Sequence, residues 1–178
     1  MERSEGGRFR VRPAVAADAP ALPAVERAAG EVFRALPDLS WIADDAVQSE
    51  QCHRELIASG GAWVAEDASG RLIGFLNGAA LDTAFHIHEL SVVPERQGEG
   101  IGRALLAAAR GWATGRGFTA LTLTTFRDVP WNGPFYARLG FAALKDDALS
   151  PALMRILDRE AAAGLPRRRR CAMMLPLP

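Results

Sequence analysis

Apolar residues recur along this chain with two different periods, and the shorter period predicts its strands. Phe9 to Arg12 alternates apolar and basic residues and stops at Pro13, which is typical of a short edge strand. Leu121 and Leu123 alternate with threonines, and this period of two indicates a further strand. The remaining predicted strands are Ala62 to Glu66, Leu72 to Ala79, Phe85 to Val93 and Arg170 to Leu175.

The longer period, close to that of an α-helix, predicts the helices. Ile101, Leu105 and Trp112 fall on one helical face, and Gly115 follows them as a helix end. The other predicted helices are one that Asp18 caps and that carries Leu22 and Val25, one that opens at Asp44 or Asp45 and ends near Ser59, and one from Ser150-Pro151 to Gly164.

A glycine-rich turn joins the strand Phe85 to Val93 to the helix that begins near Ile101. Its glycines stand at alternate positions, Gly98, Gly100 and Gly102, where the lack of a Cβ lets the backbone approach a ligand closely. The helix directs its unpaired N–H groups and the positive end of its dipole at this turn. Together these features predict a binding site for a pyrophosphate.

The residues around the turn exclude two common nucleotide motifs. A P-loop needs a Gly-Lys-Ser/Thr run, and the chain's single lysine, Lys145, lies far from the turn. A dinucleotide fingerprint needs a third glycine where Arg103 stands. The pattern that remains is Gln-x-x-Gly-x-Gly, from Gln97 to Gly102.

Composition limits the remaining possibilities. The chain has 178 residues and a formal net charge of zero, which favours one domain over 1–178 with a loose tail at 1–7. A neutral chain has no overall field that attracts nucleic acid or a membrane surface. No apolar run approaches the roughly 20 residues of a membrane span. We therefore expect a cytoplasmic protein that binds neither nucleic acid nor a membrane.

Two groups of residues invite a functional interpretation that their context does not support. Arg167 to Arg170 has no interleaved aromatic residues, and such a run is more often a solvated lead-in to a strand than a nucleic-acid contact. Cys52 and Cys171 lack the spacing of metal ligands. The sequence therefore predicts no metal site.

Two segments together carry a resemblance to a known family. Gln97 to Gly102 is similar to the coenzyme A pyrophosphate loop of the GNAT superfamily of N-acetyltransferases, and Pro134 to Phe141 resembles the family's later Phe/Leu-Tyr-x-x-x-Gly-Phe element. The order of strand, two helices, three strands, helix, strand, helix, strand, helix and strand also resembles that family. The resemblance implies a single α/β (α+β) domain with a mixed, mostly antiparallel sheet of about six or seven strands and flanking helices. The central strands, Phe85 to Val93 and Ala120 to Thr125, would splay apart to admit coenzyme A.

The same resemblance implies acetyl-CoA as co-substrate and places its binding residues. The backbone of Leu90 to Val92 would pair with the pantetheine arm, and a backbone N–H at or beside Val92 would polarise the thioester carbonyl. Asn132 resembles a family asparagine that contacts pantetheine, although it stands four residues before Tyr136, where the common family spacing is seven. The implied cofactor-binding residues are Leu90, Ser91, Val92, Gln97, Gly98, Glu99, Gly100, Ile101, Gly102, Arg103, Asn132 and Tyr136.

Acetyl transfer to an amine requires a proton acceptor. An alkylamine with a pKa near 10.4 is almost wholly cationic at neutral pH, and having its neutral form available costs about 4.6 kcal/mol. Histidine is suited to accepting that proton. His86 and His88 lie two residues apart on a strand, so their rings share one face of the sheet.

The segment His86 to Val92 resembles the active-site strand of serotonin (arylalkylamine) N-acetyltransferases. This implies that His86 and His88 relay the proton of the amine and that Tyr136 protonates the departing thiolate. Glu89 is a rival base, because many family members place a carboxylate on this strand. Strand alternation turns Glu89 to the other face, which ranks it below the histidines, and a bulge would reverse that argument.

The acceptor is the least constrained part of the prediction. We expect direct attack by a small-molecule amine, with no covalent intermediate on Cys52, because that residue lies outside both motifs. A protein or peptide amine is the alternative acceptor, and a non-catalytic coenzyme A-binding module is the alternative of another class. The family resemblance also allows a homodimer. Phe33, Leu36 and Trp41 could form an acceptor pocket or simply part of the core. Asp38, Asp44 and Asp45 could attract a cationic amine, although helix capping explains at least one of them.

Overall fold

One seven-stranded sheet and five α-helices organise residues 9–178, which are the residues that this computed structural model describes. The strands are β1 (Arg10–Pro13), β2 (Ala62–Glu66), β3 (Leu72–Leu81), β4 (Ala84–Val92), β5 (Ala120–Phe126), β6 (Ala142–Ala143) and β7 (Arg170–Pro176). The α-helices are α1 (Leu22–Gly30), α2 (Glu50–Ala58), α3 (Ile101–Gly115), α4 (Gly133–Arg138) and α5 (Pro151–Ala162).

The sheet is mixed and mostly antiparallel, as predicted. Its strand order is β1-β2-β3-β4-β5-β7-β6. β2 pairs antiparallel with β1 and β3, and β7 pairs antiparallel with β5 and β6. β4 and β5 pair in parallel, from Ala84 opposite Ala120 to His86 opposite Thr122.

The described chain forms two compact units, and the boundary between them falls within β4. The first unit comprises 9–79 and Glu89–Gly111, and the second comprises Ala80–His88 and Trp112–Pro178. Each unit has buried apolar residues of its own. In the first these include Leu22, Val64, Ile73, Phe75, Ile101 and Leu105, and in the second Phe85, Leu121, Leu123, Leu153 and Leu157.

A close backbone approach shapes the first unit. A Cβ added to Gly74 on β3 would lie 2.9 Å from the carbonyl oxygen of Ser91 on β4 and 3.3 Å from a methyl group of Ile101. Only glycine leaves room for both neighbours. This contact places the end of β4 and the first residue of α3 against the same strand.

Aromatic packing links α3 to β4 in the second unit. The Phe85 ring lies 5.3 Å from Trp112 and 5.9 Å from Phe118, measured between ring centroids. The guanidinium carbon of Arg116 lies 4.3 Å from the centre of the Trp112 ring, a cation–π geometry. These contacts bury the strand residue that directly precedes His86.

Helix starts are where the structure departs most from the sequence prediction. α2 begins at Glu50, with Ser49 Oγ accepting from the backbone N–H of Cys52, so the predicted cap at Asp44 or Asp45 is wrong. Residues Ser40–Asp44 instead form a short 3-10 helix. Asp18 lies inside another 3-10 helix, and α1 begins only at Leu22.

Other expectations for the elements are confirmed. Ser150 caps α5 by accepting from the N–H of Leu153, and the last predicted strand matches β7 within a residue. The helix and strand expected between β5 and α5 are α4 and the two-residue β6. The predicted tail, 1–7, lies outside the described residues.

The start of α4 is held against the end of β5. A Cβ on Gly133 would lie 2.7 Å from the carbonyl oxygen of Arg127 and 2.8 Å from that of Phe126. Both neighbours are backbone atoms, which do not rotate away as a side chain does. Gly133 therefore fixes where α4 begins.

Replacing Gly133 with alanine is expected to lower the free energy of unfolding by about 1–3 kcal/mol, because the methyl group overlaps fixed carbonyl oxygens. Gly111→Ala is the matched control, since Gly111 lies inside α3 and no other part of the described chain comes within 4 Å of an added Cβ. That change should stabilise the protein by about 0.5–1 kcal/mol. Urea unfolding followed by circular dichroism measures both variants, and a neutral Gly133→Ala would contradict the packing.

Candidate active site

The glycine turn of the first unit has the backbone of an anion-binding site. Gly98 and Gly100 have φ values of +82° and +84°. No atom of residues 9–178 outside the turn itself lies within 4 Å of a Cβ added to either residue, so the turn is open where side chains would otherwise stand. α3 follows at once and its first N–H groups face this turn. These features fit a pyrophosphate.

Side chains around the turn hold its shape. Gln97 Nε2 donates to the carbonyl oxygen of Val92 at 3.0 Å, which ties the turn back to β4. Arg96 Nε donates to Glu99 Oε1 at 3.0 Å. The Ile101 side chain is buried in the core of the unit, so that residue can offer a phosphate only its backbone. Arg103 is exposed on the first turn of α3.

Two polar side chains at the end of β4, in the first unit, are hydrogen-bonded to each other. Ser91 is buried, and its Oγ donates to Glu89 Oε1 at 2.7 Å. The two side chains therefore lie on the same face of the strand, two residues apart. Leu90 and Val92 are half-buried.

A polar cluster, which we call the Glu26 cluster, consists of Glu26, Gln48, His53, Asn77 and Glu89, and it shares Glu89 with that pair. His53 and Asn77 are buried, and the other three residues are half-buried. Glu26 Oε2 accepts from the backbone N–H of Gln48 at 3.0 Å. Burial and the negative charge of Glu89 raise the pKa of Glu26 to about 8. His53 Nε2 lies 3.9 Å from the same carboxylate oxygen, and burial lowers the pKa of His53.

Two atoms of the Glu26 cluster are buried without a hydrogen-bond partner among the described residues. Asn77 Nδ2 donates to Gln48 Oε1 at 2.6 Å and lies 3.3 Å from His53 Nδ1. Because an amide nitrogen only donates, Nδ1 accepts and the neutral ring carries its hydrogen on Nε2. That Nε2–H and the Asn77 Oδ1 are the two unpartnered atoms.

The predicted histidine pair lies in the second unit, and its two members differ in environment. Their ring centroids lie 5.7 Å apart. His86 is buried, and its Nδ1 shares a hydrogen bond of 2.9 Å with Thr122 Oγ1. Burial and the neighbouring His88 lower the pKa of His86 to about 4. His88 is exposed, although the surrounding protein still lowers its pKa.

Tyr136 and Asn132 lie at α4 in the same unit. Tyr136, the single tyrosine of the chain, is buried, and its ring packs edge-on against Phe135 and Phe141. Asn132 precedes the helix, and its carbonyl oxygen accepts from the N–H of Tyr136 at 3.1 Å. The Asn132 Oδ1 is buried without a hydrogen-bond partner among the described residues. An orphaned acceptor here fits a ligand amide.

The predicted site residues thus fall into two groups. The first unit brings together Leu90 to Val92 and the turn from Gln97 to Arg103, and the second brings together His86 and His88, and Asn132 with Tyr136. The sequence prediction missed Glu26 and His53, because a glutamate and a histidine on helices carry no motif. The signals that identify them are the raised pKa of Glu26 and the unpartnered Nε2–H of His53. Both signals can be read only from the folded structure.

Two negative findings apply to residues 9–178. No group of three or more histidine, cysteine, aspartate or glutamate side chains there is placed to hold a metal ion. No helix in that range is long and apolar enough to span a membrane.

Several solved acetyltransferase structures are similar in fold to this chain. The fold matches the PaiA N-acetyltransferase of Thermoplasma acidophilum in complex with coenzyme A, with a TM-score of 0.69, 18% identity, and coverage of 94% of this chain and 98% of that chain. It matches the ribosomal-protein-S18-alanine N-acetyltransferase of Escherichia coli with a TM-score of 0.63, 17% identity, and coverage of 95% and 94%.

A third similar structure has a small-molecule acceptor in its name. The phosphinothricin acetyltransferase of Sinorhizobium meliloti, in complex with acetyl-CoA, has a TM-score of 0.65, 21% identity, and coverage of 95% of this chain and 88% of that chain. At such identities these likenesses establish the fold alone. The model of the acetyltransferase (GNAT) family, however, matches residues 30–141, which is more than half of the chain. The chain therefore belongs to the GNAT family of acetyltransferases, whose co-substrate is acetyl-CoA.

Proposed function

We propose that this protein transfers the acetyl group of acetyl-CoA to the primary amine of a small molecule by direct attack. The observation that carries the proposal is the open turn at Gly98 and Gly100, which stands at the start of α3 in a chain of this family. Acetyl-CoA supplies an acetyl group activated as a thioester. In the reaction the neutral amine nitrogen forms a bond to the carbonyl carbon and the carbon–sulfur bond breaks. The ammonium form of the substrate loses two protons in all, one before the attack and one after it. The departing thiolate takes up one proton, so one proton is released overall.

Binding of the co-substrate is assigned to backbone groups. The N–H groups at the start of α3, with the exposed Arg103, would hold the pyrophosphate. The backbone of Leu90 to Val92 would pair with pantetheine, and an N–H at or beside Val92 would polarise the thioester carbonyl. The unpartnered Oδ1 supports a pantetheine contact for Asn132, despite its short spacing to Tyr136.

Within the histidine pair, we assign the first proton-accepting role to His88. It is exposed, whereas His86 is buried and bonded to Thr122. A histidine with a pKa of about 4 is a weaker base than an unperturbed one by about 3 kcal/mol. The exposed His88 would then release the proton to solvent, and His86, bonded to Thr122, would position the His88 ring. The pair was chosen because the segment His86 to Val92 resembles the active-site strand of serotonin N-acetyltransferases. That resemblance remains a prediction.

Tyr136 is assigned as the acid that protonates the thiolate. Its ring is held edge-on by Phe135 and Phe141, which supports a fixed position for the hydroxyl group. Proton transfer from a tyrosine to a thiolate is uphill by about 2 kcal/mol on ordinary pKa values, which amide formation offsets.

Direct attack is favoured over a route through a cysteine. Burial raises the pKa of both Cys52 and Cys171, which keeps each as the unreactive thiol at neutral pH. Nucleophilic catalysis needs the thiolate.

The turn is tested by replacing Gly100 with alanine. An L-residue at a φ of +84° costs about 1–2 kcal/mol, and its methyl group would occupy the space assigned to the phosphates. We expect coenzyme A to bind at least about tenfold more weakly by calorimetry. Gly117→Ala imposes the same strain at a φ of +78° in the second unit. Equal weakening by both variants would contradict the assigned site.

Replacing Tyr136 with phenylalanine keeps the ring contacts and removes only the hydroxyl group. We expect kcat for amine acetylation to fall by about 10²-fold or more, with the affinity for coenzyme A and the unfolding midpoint unchanged. Free-thiol release from acetyl-CoA measures the rate. An unchanged kcat would reject Tyr136 as the acid, and loss of coenzyme A affinity would make it a binding residue.

His88→Gln should lower kcat/KM by about 10²-fold and His86→Gln by less. The cause is loss of the acceptor for the ammonium proton, so the deficit should shrink as pH rises toward about 10, where free amine becomes abundant. Because the pKa of His88 lies below 6.5, the wild type should lose this contribution only as pH falls below that value. A deficit that is constant with pH would instead assign His88 to substrate binding.

A further inference from the structure

We infer that Arg96 is a positioning residue for coenzyme A, because it neutralises the carboxylate of Glu99 inside the glycine turn and so lets the turn accept a pyrophosphate. The inference rests on the proposed assignment of this turn to the pyrophosphate. It adds to that assignment a charged pair whose two members have opposite effects on the affinity for the co-substrate.

Glu99 places a negative charge where an anion is expected to bind. It stands between Gly98 and Gly100, whose φ values of +82° and +84° shape the turn. Each phosphate of the coenzyme A pyrophosphate also carries a negative charge at neutral pH. A carboxylate that is not neutralised would repel this ligand and oppose the attraction of the N–H groups at the start of α3. The turn therefore binds a pyrophosphate more strongly when the charge of Glu99 is compensated.

The guanidinium group of Arg96 supplies that compensation in a bidentate arrangement. Arg96 Nε donates to Glu99 Oε1 at 3.0 Å, and Arg96 Nη2 lies 2.9 Å from Glu99 Oε2. The two side chains are only 18% and 27% exposed, so solvent and salt screen them less than they screen an exposed ion pair. The hydrogen bond with Glu99 also raises the pKa of Arg96. The negative charge of Glu99 is therefore balanced by a fixed positive charge.

The neighbouring charges do not take over this task from Arg96. Asp67 and Glu95, which also act on Arg96, are acidic. Arg71 Nη2 lies 2.7 Å from Glu95 Oε1, and the side chains of this second pair are 59% and 53% exposed. Because that pair is already balanced, removal of Arg96 would uncover a charge on Glu99 that Arg71 does not compensate.

A role for the pair in the shape of the turn alone leads to a different expectation. Removal of either member would then break the same two contacts, and both variants would bind coenzyme A more weakly. Neutralisation instead makes the two members unequal. Removal of Arg96 exposes a negative charge to the ligand, whereas removal of Glu99 leaves a positive charge beside it. The two single variants should then change the affinity in opposite directions.

Calorimetry of coenzyme A binding to Arg96→Gln, Glu99→Gln and the double variant tests the inference. We expect Arg96→Gln to weaken binding by about tenfold and Glu99→Gln to strengthen it by about threefold or more. The double variant, which carries neither charge, should lie within about threefold of the wild type. The deficit of Arg96→Gln should shrink between about 0.05 M and about 0.5 M salt, because screening weakens the repulsion. A Glu99→Gln variant that does not bind more tightly would overturn the inference.

A second ligand shows which phosphate the pair acts on. Dephospho-coenzyme A keeps the pyrophosphate and lacks the 3′-phosphate. The same fold-changes with this ligand support an action on the pyrophosphate. Their disappearance would overturn the inference, because the pair would then act on the 3′-phosphate.

Arg71→Gln is the matched control, because it removes a guanidinium charge from the neighbouring exposed pair with Glu95. It should change the affinity for coenzyme A by less than about twofold, as expected for a solvated ion pair. A loss as large as that of Arg96→Gln would show that any lost positive charge in this region has the same effect, and it would reject a specific role for Arg96.

Gly100→Ala separates failure of the inference from failure of the turn assignment. If that variant binds coenzyme A more weakly while the charge variants show no opposite effects, only the role of Arg96 is rejected. If Gly100→Ala and the charge variants all leave the affinity unchanged, the turn is not the pyrophosphate site. Failure of the wild type to bind coenzyme A rejects the proposed function instead.

Discussion

The turn from β4 into α3 depends on two residues that adopt positive φ, and the first unit is arranged around it. Gly98 and Gly100 reverse the chain within a few residues, so that Ile101 enters the core while the N–H groups of α3 stay outside. Gly74 completes the arrangement, because only its missing side chain lets β3 lie against Ser91 and Ile101. Burial of Ile101 thus fixes the direction of α3. In that direction the first N–H groups of the helix stay accessible and form the anion site.

Burial acts in the same direction on four titratable groups near the proposed chemistry. It raises the pKa of Glu26 and lowers the pKa of His53, His86 and His88, so each group favours its uncharged form. Exposed ion pairs elsewhere behave differently, since Arg34 holds the pKa of Asp44 below its ordinary value. Uncharged groups can take up or lose a proton when a charged substrate arrives. Paired surface charges cannot respond in this way at neutral pH.

The expectation that Glu89 turns away from the histidines rested on strand alternation alone. The structure adds that Glu89 shares a face with Ser91 through their hydrogen bond and that the ring of His86 lies beside that of His88. Alternation was therefore a sound guide to which neighbours share a face. It carried no information about Glu26, which comes from a helix more than sixty positions earlier in the chain, and the electrostatic partner of Glu89 could not be inferred from β4.

The sequence by itself determined the elements with strong local signals, and the family. Period-two strands, the Gln-x-x-Gly-x-Gly turn and the cap at Ser150 need only residues close together in the chain, so each could be predicted with near-correct bounds. Weak local signals gave a wrong helix start, as for α2 at Asp45. Several acidic and hydroxyl residues nearby can cap a helix, and tertiary packing determines which of them does. Only the tertiary structure decided which residues are buried together. The pKa of Glu26, the burial of His86 and the unpartnered atoms of His53 and Asn77 all follow from desolvation by distant segments, which no local pattern encodes.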